Sequence, residues 1–494
     1  MFFLQTEKNI QIINMDFNKK KFNKLTTKSI NIIQKWFDER IRGKKIFYNK
    51  SVNEISEIFK LNYNNDKKDP EEILDFLKTH LIETSNFNPS PNYYGYITGG
   101  GNQIAIIASI FKNALNQNNL KWNSAPGNTE IEKIVVDWIA KFIGYPLGFG
   151  VLVSGGSIGN LMNIAIMRKI KSSNSLTIKG IYQHKIMRVY VSEEAHSSID
   201  KAMDILGLGQ ENLIKIKSDN NFKIKITELE NAIKKDIKNN LLPIGIIGIA
   251  GTTNTGSVDP LMLLGKIANK YNLWYMIDAA YGGPAVQSKN KKNLFKGMDK
   301  ADSILVNPHK WLYVPFEVAC VMVKKKENLK KTFSLIPEYL KDGENKEDRE
   351  DLMNYNIQLT KDFKALKVWM TIKTYGKNKI INAIQNDIEI TKYAYQIVTA
   401  SNDFKAINKP ELSIFCFQYI GKTNENKLNK LNKLNKKIIE LIEQDGRVFL
   451  SGTLINNTNV LRINCINHRR KKSDIDFLFK ILRKLGEKAS VLIA

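Results

Sequence analysis

Between about Ser90 and Gly376, short runs of β-branched and other apolar residues recur, each followed by a segment with helical spacing. The runs are Val151–Val153, Met187–Val191, Ile244–Ala250, Leu273–Ile277, Ser303–Val306 and Val318–Val323. Near-continuous apolarity marks strands buried on both faces, and strand–helix alternation predicts an α/β domain with a largely parallel central sheet. Residues 1–89 read instead as a polar, helical segment, with amphipathic stretches at Ser29–Arg42 and Pro70–Glu83. Asp69-Pro70 followed by Glu71-Glu72 is a helix start signal. Residues 377–494 read as a long helical stretch leading into a small α+β domain. Its strands are expected at Ser413–Tyr419, Val448–Ser451 and Val460–Cys465, with a closing helix near Ser473–Leu485. The repetitive Lys427–Lys437 reads as a basic helix face or a loop. The expected division is therefore 1–89, 90–376 and 377–494.

Composition narrows the class. With 43% apolar residues over 494, the chain buries enough surface to offset its ordering entropy, which excludes a disordered protein. No apolar run approaches the ~20 residues of a membrane span, and the start, MFFLQTEKNI, lacks the pattern of a secretory signal. Cys320, Cys416 and Cys465 are too dispersed for a disulfide frame or a metal site, which suggests a reducing, cytoplasmic setting. Lys+Arg of 75 against Asp+Glu of 49 gives a net charge of +26. Only ten of the basic residues are Arg, the side chain suited to bidentate phosphate contacts, and the Lys is scattered among Asn and Ile. A solvated surface is expected, with no nucleic-acid or membrane partner.

Ligands of open parallel sheets bind beyond the carboxyl ends of the strands, and there the sequence is unusual. Asn307-Pro308-His309-Lys310-Trp311 follows one run. Burial of Lys310 would favour the neutral amine that attacks a carbonyl, although a lone Lys more often reaches the surface. Asp278 closes the run Leu273–Ile277, either as a helix cap or as the partner of a cation such as a protonated ring nitrogen. Ala280 beside it leaves room for a flat ring. His196, in Ser192-Glu193-Glu194-Ala195-His196, is either a structural residue or a flat surface for stacking. Ser154-Gly155-Gly156-Ser157 opens a helical run, an arrangement that presents free N–H groups to an anion in some proteins and binds nothing in others. Gly251-Thr252-Thr253 places clustered hydroxyls at another strand end. An anion cradle, a ring sandwich, a carboxylate for a ring nitrogen and a Schiff-base lysine together fit pyridoxal 5′-phosphate.

The motifs SEEAHSSIDKA, GTTNTGSVDP, DAAYGGPA and ADSILVNPHKW occur in that order, and Pro91-Asn92-Tyr93-Tyr94-Gly95-Tyr96, Val460-Leu461-Arg462 and Asn467-His468-Arg469 lie at either end of the series. In these the chain resembles the group II pyridoxal-phosphate-dependent amino-acid decarboxylases, the aromatic L-amino-acid decarboxylase-like family. The resemblance implies fold type I, the aspartate-aminotransferase-like α/β fold, and a homodimer with the active site at the subunit interface. It implies that Lys310 holds the cofactor covalently, Asp278 keeps its ring nitrogen protonated, and His196 and Ala280 cover its two faces. Gly155, Gly156, Ser157, Asn307 and His309 would surround the phosphate, and Thr253 would lie near the ring substituents. Trp122 and Thr129-Glu130 match a stretch that shapes the substrate pocket. Tyr339, in Ile336-Pro337-Glu338-Tyr339, matches a position from which a phenol returns a proton to the substrate α-carbon; relatives with Phe there tend toward oxidative aldehyde formation. Ser90 and Lys361-Asp362-Phe363 depart from the family pattern of His and of RRF or RxF.

The expected activity is decarboxylation of an L-amino acid, aromatic (tyrosine, DOPA, tryptophan or phenylalanine), to its amine and CO₂. The alternatives are a non-aromatic substrate (glutamate, cysteine sulfinate or diaminobutyrate) and an aldehyde synthase or carbon–carbon lyase.

Overall fold

The structure, a computed structural model, describes residues 15–41, 45–60, 67–172, 176–182, 184–335, 349–421 and 428–493. Seven strands form the central sheet: β1 (Phe149–Val153), β2 (Met187–Ser192), β3 (Leu213–Ile216), β4 (Leu242–Ile249), β5 (Trp274–Asp278), β6 (Ser303–Val306) and β7 (Ala319–Val323). Their spatial order is β1-β7-β6-β5-β4-β2-β3. All neighbours pair in parallel except β7, which runs antiparallel to both β1 and β6. Because β7 is reversed against both neighbours, β1 points the same way as β6. The carboxyl ends of β1, β2, β4, β5 and β6 therefore share one edge of the sheet.

Alternation along the strands fills two cores. Leu152, Tyr190, Ile246, Ile277 and Ile304 face one layer with Val135 and Ile139 of the helix Pro126–Ile143. Val151, Val153, Val189, Val191, Ile247, Met276 and Leu305 face the other with Met162 and Ile166 of the helix Gly156–Lys171. Burying each such side chain contributes roughly 1.5–3 kcal/mol, which is why these short runs were readable as strands. The mostly parallel sheet with helices on both faces is the α/β class expected.

A second, antiparallel sheet follows: β8 (Phe404–Ala406), β9 (Ile414–Tyr419), β10 (Ser451–Ile455) and β11 (Thr458–Asn464), in the order β10-β11-β9-β8. Of the run Val448–Ser451, expected as a strand, Val448–Leu450 is instead a buried connector with a bridge between Phe449 and Tyr93, and Ser451 opens β10 opposite Arg462. The Lys427–Lys437 stretch falls largely in the helix Leu428–Asp445, and the closing helix extends over Lys472–Ile493. The long helix Ala365–Ala400 is interrupted at Gly376, where φ is 70°. At the other end of the chain, Asp69 caps the helix Pro70–Phe76 by accepting the Glu71 N–H at 2.8 Å. The expected continuation to Glu83 is a wider π-helical turn, Leu77–Ile82. Among the described residues no helix is long and apolar enough to cross a membrane.

Candidate active site

Five strand ends converge on a cavity of about 190 Å³. From β1 come Gly156 and Ser157, from β2 His196, from β4 Thr253, from β5 Asp278 and Ala280, and from β6 Asn307, His309 and Lys310. Of the residues nominated for the cofactor and the proton step, two stand apart, and Trp122 and Thr129-Glu130, expected to shape the substrate pocket, line neither this cavity nor the groove beside it. Gly155 is not in the lining; its φ of 103°, which L side chains rarely adopt, turns the chain from β1 into the helix behind it. Tyr339 lies outside the described residues.

Lys310 occupies a turn closed by its own N–H, which donates to the Asn307 carbonyl at 2.9 Å. Its carbonyl packs so tightly on Gly99 that a Cβ there would lie 2.1 Å away. Burial lowers the amine's pKa, with nearby Asp278 opposing and Arg462 reinforcing that shift. The capping role of Asp278 is visible directly. Its Oδ1 accepts the Ala280 N–H (3.0 Å), as a turn-capping aspartate does, while Oδ2 accepts from the Asn160 side-chain amide (3.0 Å).

The other proton of that amide goes to the Ser198 hydroxyl (2.9 Å), which meets His196 Nδ1 at 2.9 Å. Nδ1 also accepts the Ser198 backbone N–H (3.1 Å), so the neutral ring carries its proton on Nε2. Burial holds the His196 pKa below its usual value. His309 Nδ1 donates to the Val318 carbonyl at 2.6 Å, and burial pushes its pKa down to about 4, which keeps the ring neutral near pH 7.

The cavity also has the marks of a site made for a bound group. The helix Gly156–Lys171 starts without a side-chain cap, leaving its first amides to the cavity. The buried Oδ1 atoms of Asn307 and Asn160 have no hydrogen-bond partner. A Cβ on Gly156 would come within 2.9 Å of Asn307 Nδ2, so any larger residue there would displace the Asn307 amide. A carboxylate beside an amine at one side and free amides at the other fit a flat, phosphate-bearing pyridine.

Against the same His196, Thr253, His309 and Lys310 opens a larger groove of about 810 Å³. Tyr93, Tyr96 and Phe316 form aromatic walls, and Asn86, Asn254 and Thr453 add polar ones. Arg462 lies in its lining and donates twice to the Thr253 carbonyl, at 2.6 and 3.0 Å. Asn160, Ser198 and Arg462 were not nominated as site residues, although Asn160 lies in the first turn of a Gly-opened helix, Ser198 in SEEAHSSIDKA and Arg462 in Val460-Leu461-Arg462.

The departures from the family pattern lie elsewhere. Lys361 forms a fully buried ion pair with Glu132, which also accepts from the Leu152 N–H and the Asn119 amide. Thr129 donates to Asn119 in the same network, and Trp122 donates to Glu130 at 3.0 Å. Ser90 is buried and accepts the Asn92 N–H. None of these residues lines the cavity or the groove.

A lysine and an aspartate at adjacent strand ends, facing an uncapped helix, define a pyridoxal-phosphate enzyme of the α/β kind. The family model of the pyridoxal-dependent decarboxylase conserved domain matches residues 53–420. The chain is 30% identical to an aromatic-L-amino-acid decarboxylase of Bacillus atrophaeus, over 86% of this chain and 87% of that one. It is 27% identical to a phenylacetaldehyde synthase of Arabidopsis thaliana, over 86% of each chain. In fold it is similar to the crystal structure of Oryza sativa TDC with PLP and tryptamine: TM-score 0.91, 21% identity, 96% of this chain and 99% of that one. The chain belongs to the pyridoxal-dependent decarboxylase family, and it is a pyridoxal-phosphate-dependent amino-acid decarboxylase.

Proposed function

We propose that the substrate is an aromatic L-amino acid, converted to its amine and CO₂ in the cytoplasm by a homodimer. The observation that carries the substrate class is the groove beside Lys310, whose walls include Tyr93, Tyr96 and Phe316. Aromatic walls favour a flat apolar side chain through offset or edge-on ring contacts. The relative from Bacillus atrophaeus named for aromatic substrates supports the same class. The three buried, unpaired cysteines suit a reducing compartment.

Bound pyridoxal phosphate supplies the electron sink for the pair left when the bond between α-carbon and carboxylate breaks. In this reading Lys310 holds the cofactor through its amine, and Asp278, oriented by Asn160, keeps the proton on the ring nitrogen. His196 and Ala280 cover the ring. The amides of Gly156 and Ser157, with Asn307 and His309, hold the phosphate; Gly155 shapes that turn, and Thr253 lies by the ring substituents. Tyr339 replaces the departing CO₂ with a proton at the α-carbon.

The second subunit is expected on the helix Gln103–Leu115, where Ile107, Ile110, Phe111 and Leu115 form one exposed apolar face. That helix starts beside the loop bearing Phe316, since Asn102 donates to the Tyr313 carbonyl and Gly101 packs on Pro315. A partner there would border the groove.

The test is a product assay by mass spectrometry, with cofactor-loaded protein and a panel of the common amino acids plus DOPA and diaminobutyrate. An aromatic amine without aldehyde is expected. Amine from an acidic or basic amino acid would overturn the substrate class and leave the chemistry intact. Aldehyde with ammonia and peroxide would favour the second reading, which the similarity to a phenylacetaldehyde synthase motivates. Tyr339→Phe is expected to move product from amine toward aldehyde, and an unchanged ratio would remove Tyr339 from the proton step.

A further inference from the structure

The turn that carries Lys310 is held from behind by a carboxylate in the long helix. Trp311 and Tyr313, both buried, do not line the cavity. The Trp311 indole Nε1 donates to Asp387 Oδ2 at 2.9 Å, and the Tyr313 hydroxyl donates to the same oxygen at 2.7 Å. The other oxygen accepts the Asn467 backbone N–H at 3.2 Å. Asp387 is 0% exposed, and burial pushes its carboxyl pKa up to about 7, with the bonds from Tyr313 and Trp311 and the charge of Arg470 working against that rise. An apolar residue would satisfy the helix at less cost, because buried charges are expensive even when hydrogen-bonded.

What the charge holds runs on into the cavity. The Trp311 ring lies nearly parallel to that of Tyr281, with centroids 5.1 Å apart and planes at 13°. Tyr281 lines the cavity three residues after Asp278, and its hydroxyl is fixed by Ser413 at 2.6 Å. The stack therefore joins the turn bearing Asp278 to the turn bearing Lys310. Asp387 locks it on the side away from the cavity.

We propose that Asp387 is a positioning residue for the Lys310–Asp278 pair, setting through Trp311 and Tyr281 where the lysine amine stands relative to the aspartate. The proposal rests on the reading of Lys310 and Asp278 as the cofactor's two anchors. It concerns geometry at the cofactor and does not depend on which amino acid is decarboxylated.

The test compares full-length Asp387→Leu, Asp387→Asn and Tyr313→Phe with the parent chain. Three quantities are read: affinity of the cofactor-free protein for pyridoxal phosphate, the pH midpoint of the bound cofactor's absorbance, and the melting temperature. Asp387→Leu leaves the Trp311 indole, the Tyr313 hydroxyl and the Asn467 N–H buried without their acceptor, which destabilises the fold as well as freeing the stack. It is expected to melt below the parent and to bind pyridoxal phosphate about tenfold more weakly, and its shifted midpoint is the change that lost stability alone would not produce. Asp387→Asn keeps an acceptor for Trp311 and Tyr313 and should restore most of the affinity. Tyr313→Phe should fall between the two.

Parent-like affinity and midpoint in Asp387→Leu would overturn the proposal. So would affinity that merely tracks melting temperature across all three variants, since a purely structural role predicts that. A control separates this failure from failure of the underlying reading. If Lys310→Ala still forms a borohydride-reducible adduct with the cofactor, the assignment of Lys310 is wrong.

Discussion

Asp278 is buried but not saturated. Two of its contacts are with the Ala280 N–H and the Asn160 amide, and it lies close enough to the Lys310 amine to oppose the effect of burial there. A protonated ring nitrogen would be a stronger partner than either amide, because charge-assisted bonds are worth roughly 1.5–3 kcal/mol. Asp278→Asn, equal in shape but neutral, should therefore lower kcat by about 10- to 100-fold, each 1.4 kcal/mol being a factor of ten, and change KM far less. Steady-state kinetics on saturated enzyme would check this, and a parent-like kcat would remove the carboxylate from the chemistry. Lys310, Asp278 and His196 were legible as cavity residues because each lies within five residues of the end of a buried apolar run, where ligands of parallel sheets bind. Asn160 and Arg462 were not. Asn160 meets Asp278 across 118 residues, and Arg462 reaches Thr253 from another sheet across 209. No local pattern encodes contacts at such separations.

Strand legibility follows burial in the same way. β4, β5 and β6 are central, apolar runs and were placed to within a few residues. β3 was missed: it is a four-residue edge strand that includes the polar Lys215. β10 was misplaced because Val448–Leu450 is apolar for burial and makes almost no pairing. Hydrophobicity reports which residues are inside, and pairing is a separate property. The helix Leu428–Asp445 looked ambiguous because Lys and Asn separate its leucines, yet Leu431, Leu434, Ile438 and Leu441 repeat at helical spacing. Its Asn435, which is buried, bonds both the N–H and the carbonyl of Tyr419 at the end of β9.

Between elements, the Lys361–Glu132 pair joins the helix Pro126–Ile143 to the segment preceding Ala365–Ala400, with side-chain exposures of 0% and 1%. Lys361→Met should cost about 3–5 kcal/mol, because Glu132 is left charged and buried with two neutral donors. Adding Glu132→Leu should recover much of that loss in chemical denaturation. Equal stability of the single variant and the parent would show that Glu132 accepts a proton or finds water instead.

At the scale of the whole molecule, the charge of +26 and the exposed apolar helix pull in opposite directions: like charges repel two copies, and apolar surface attracts them. The helix Gln103–Leu115 has 13 residues, or ~20 Å of length, so alone it falls short of the more than about 2,000 Å² that an obligate interface buries. A partner subunit, as proposed, would therefore have to reach further, toward Tyr96 and Phe316, which are 61% and 56% exposed at the groove. Two consequences can be measured together. Ile110→Glu with Phe111→Glu places four added charges, two from each copy, where the surfaces would meet, so the variant should elute and scatter light as a monomer while the parent is a dimer. Loss of turnover should accompany dissociation and exceed any loss of cofactor, because the groove wall would go while the cavity of Lys310 and Asp278 stays within one chain. Raising salt screens the general repulsion of the basic surface within about a Debye length, ~8 Å at physiological ionic strength. It should therefore strengthen the parent dimer and leave the variant a monomer at moderate concentration. A parent that is monomeric and fully active at all salt concentrations would place catalysis entirely within one copy.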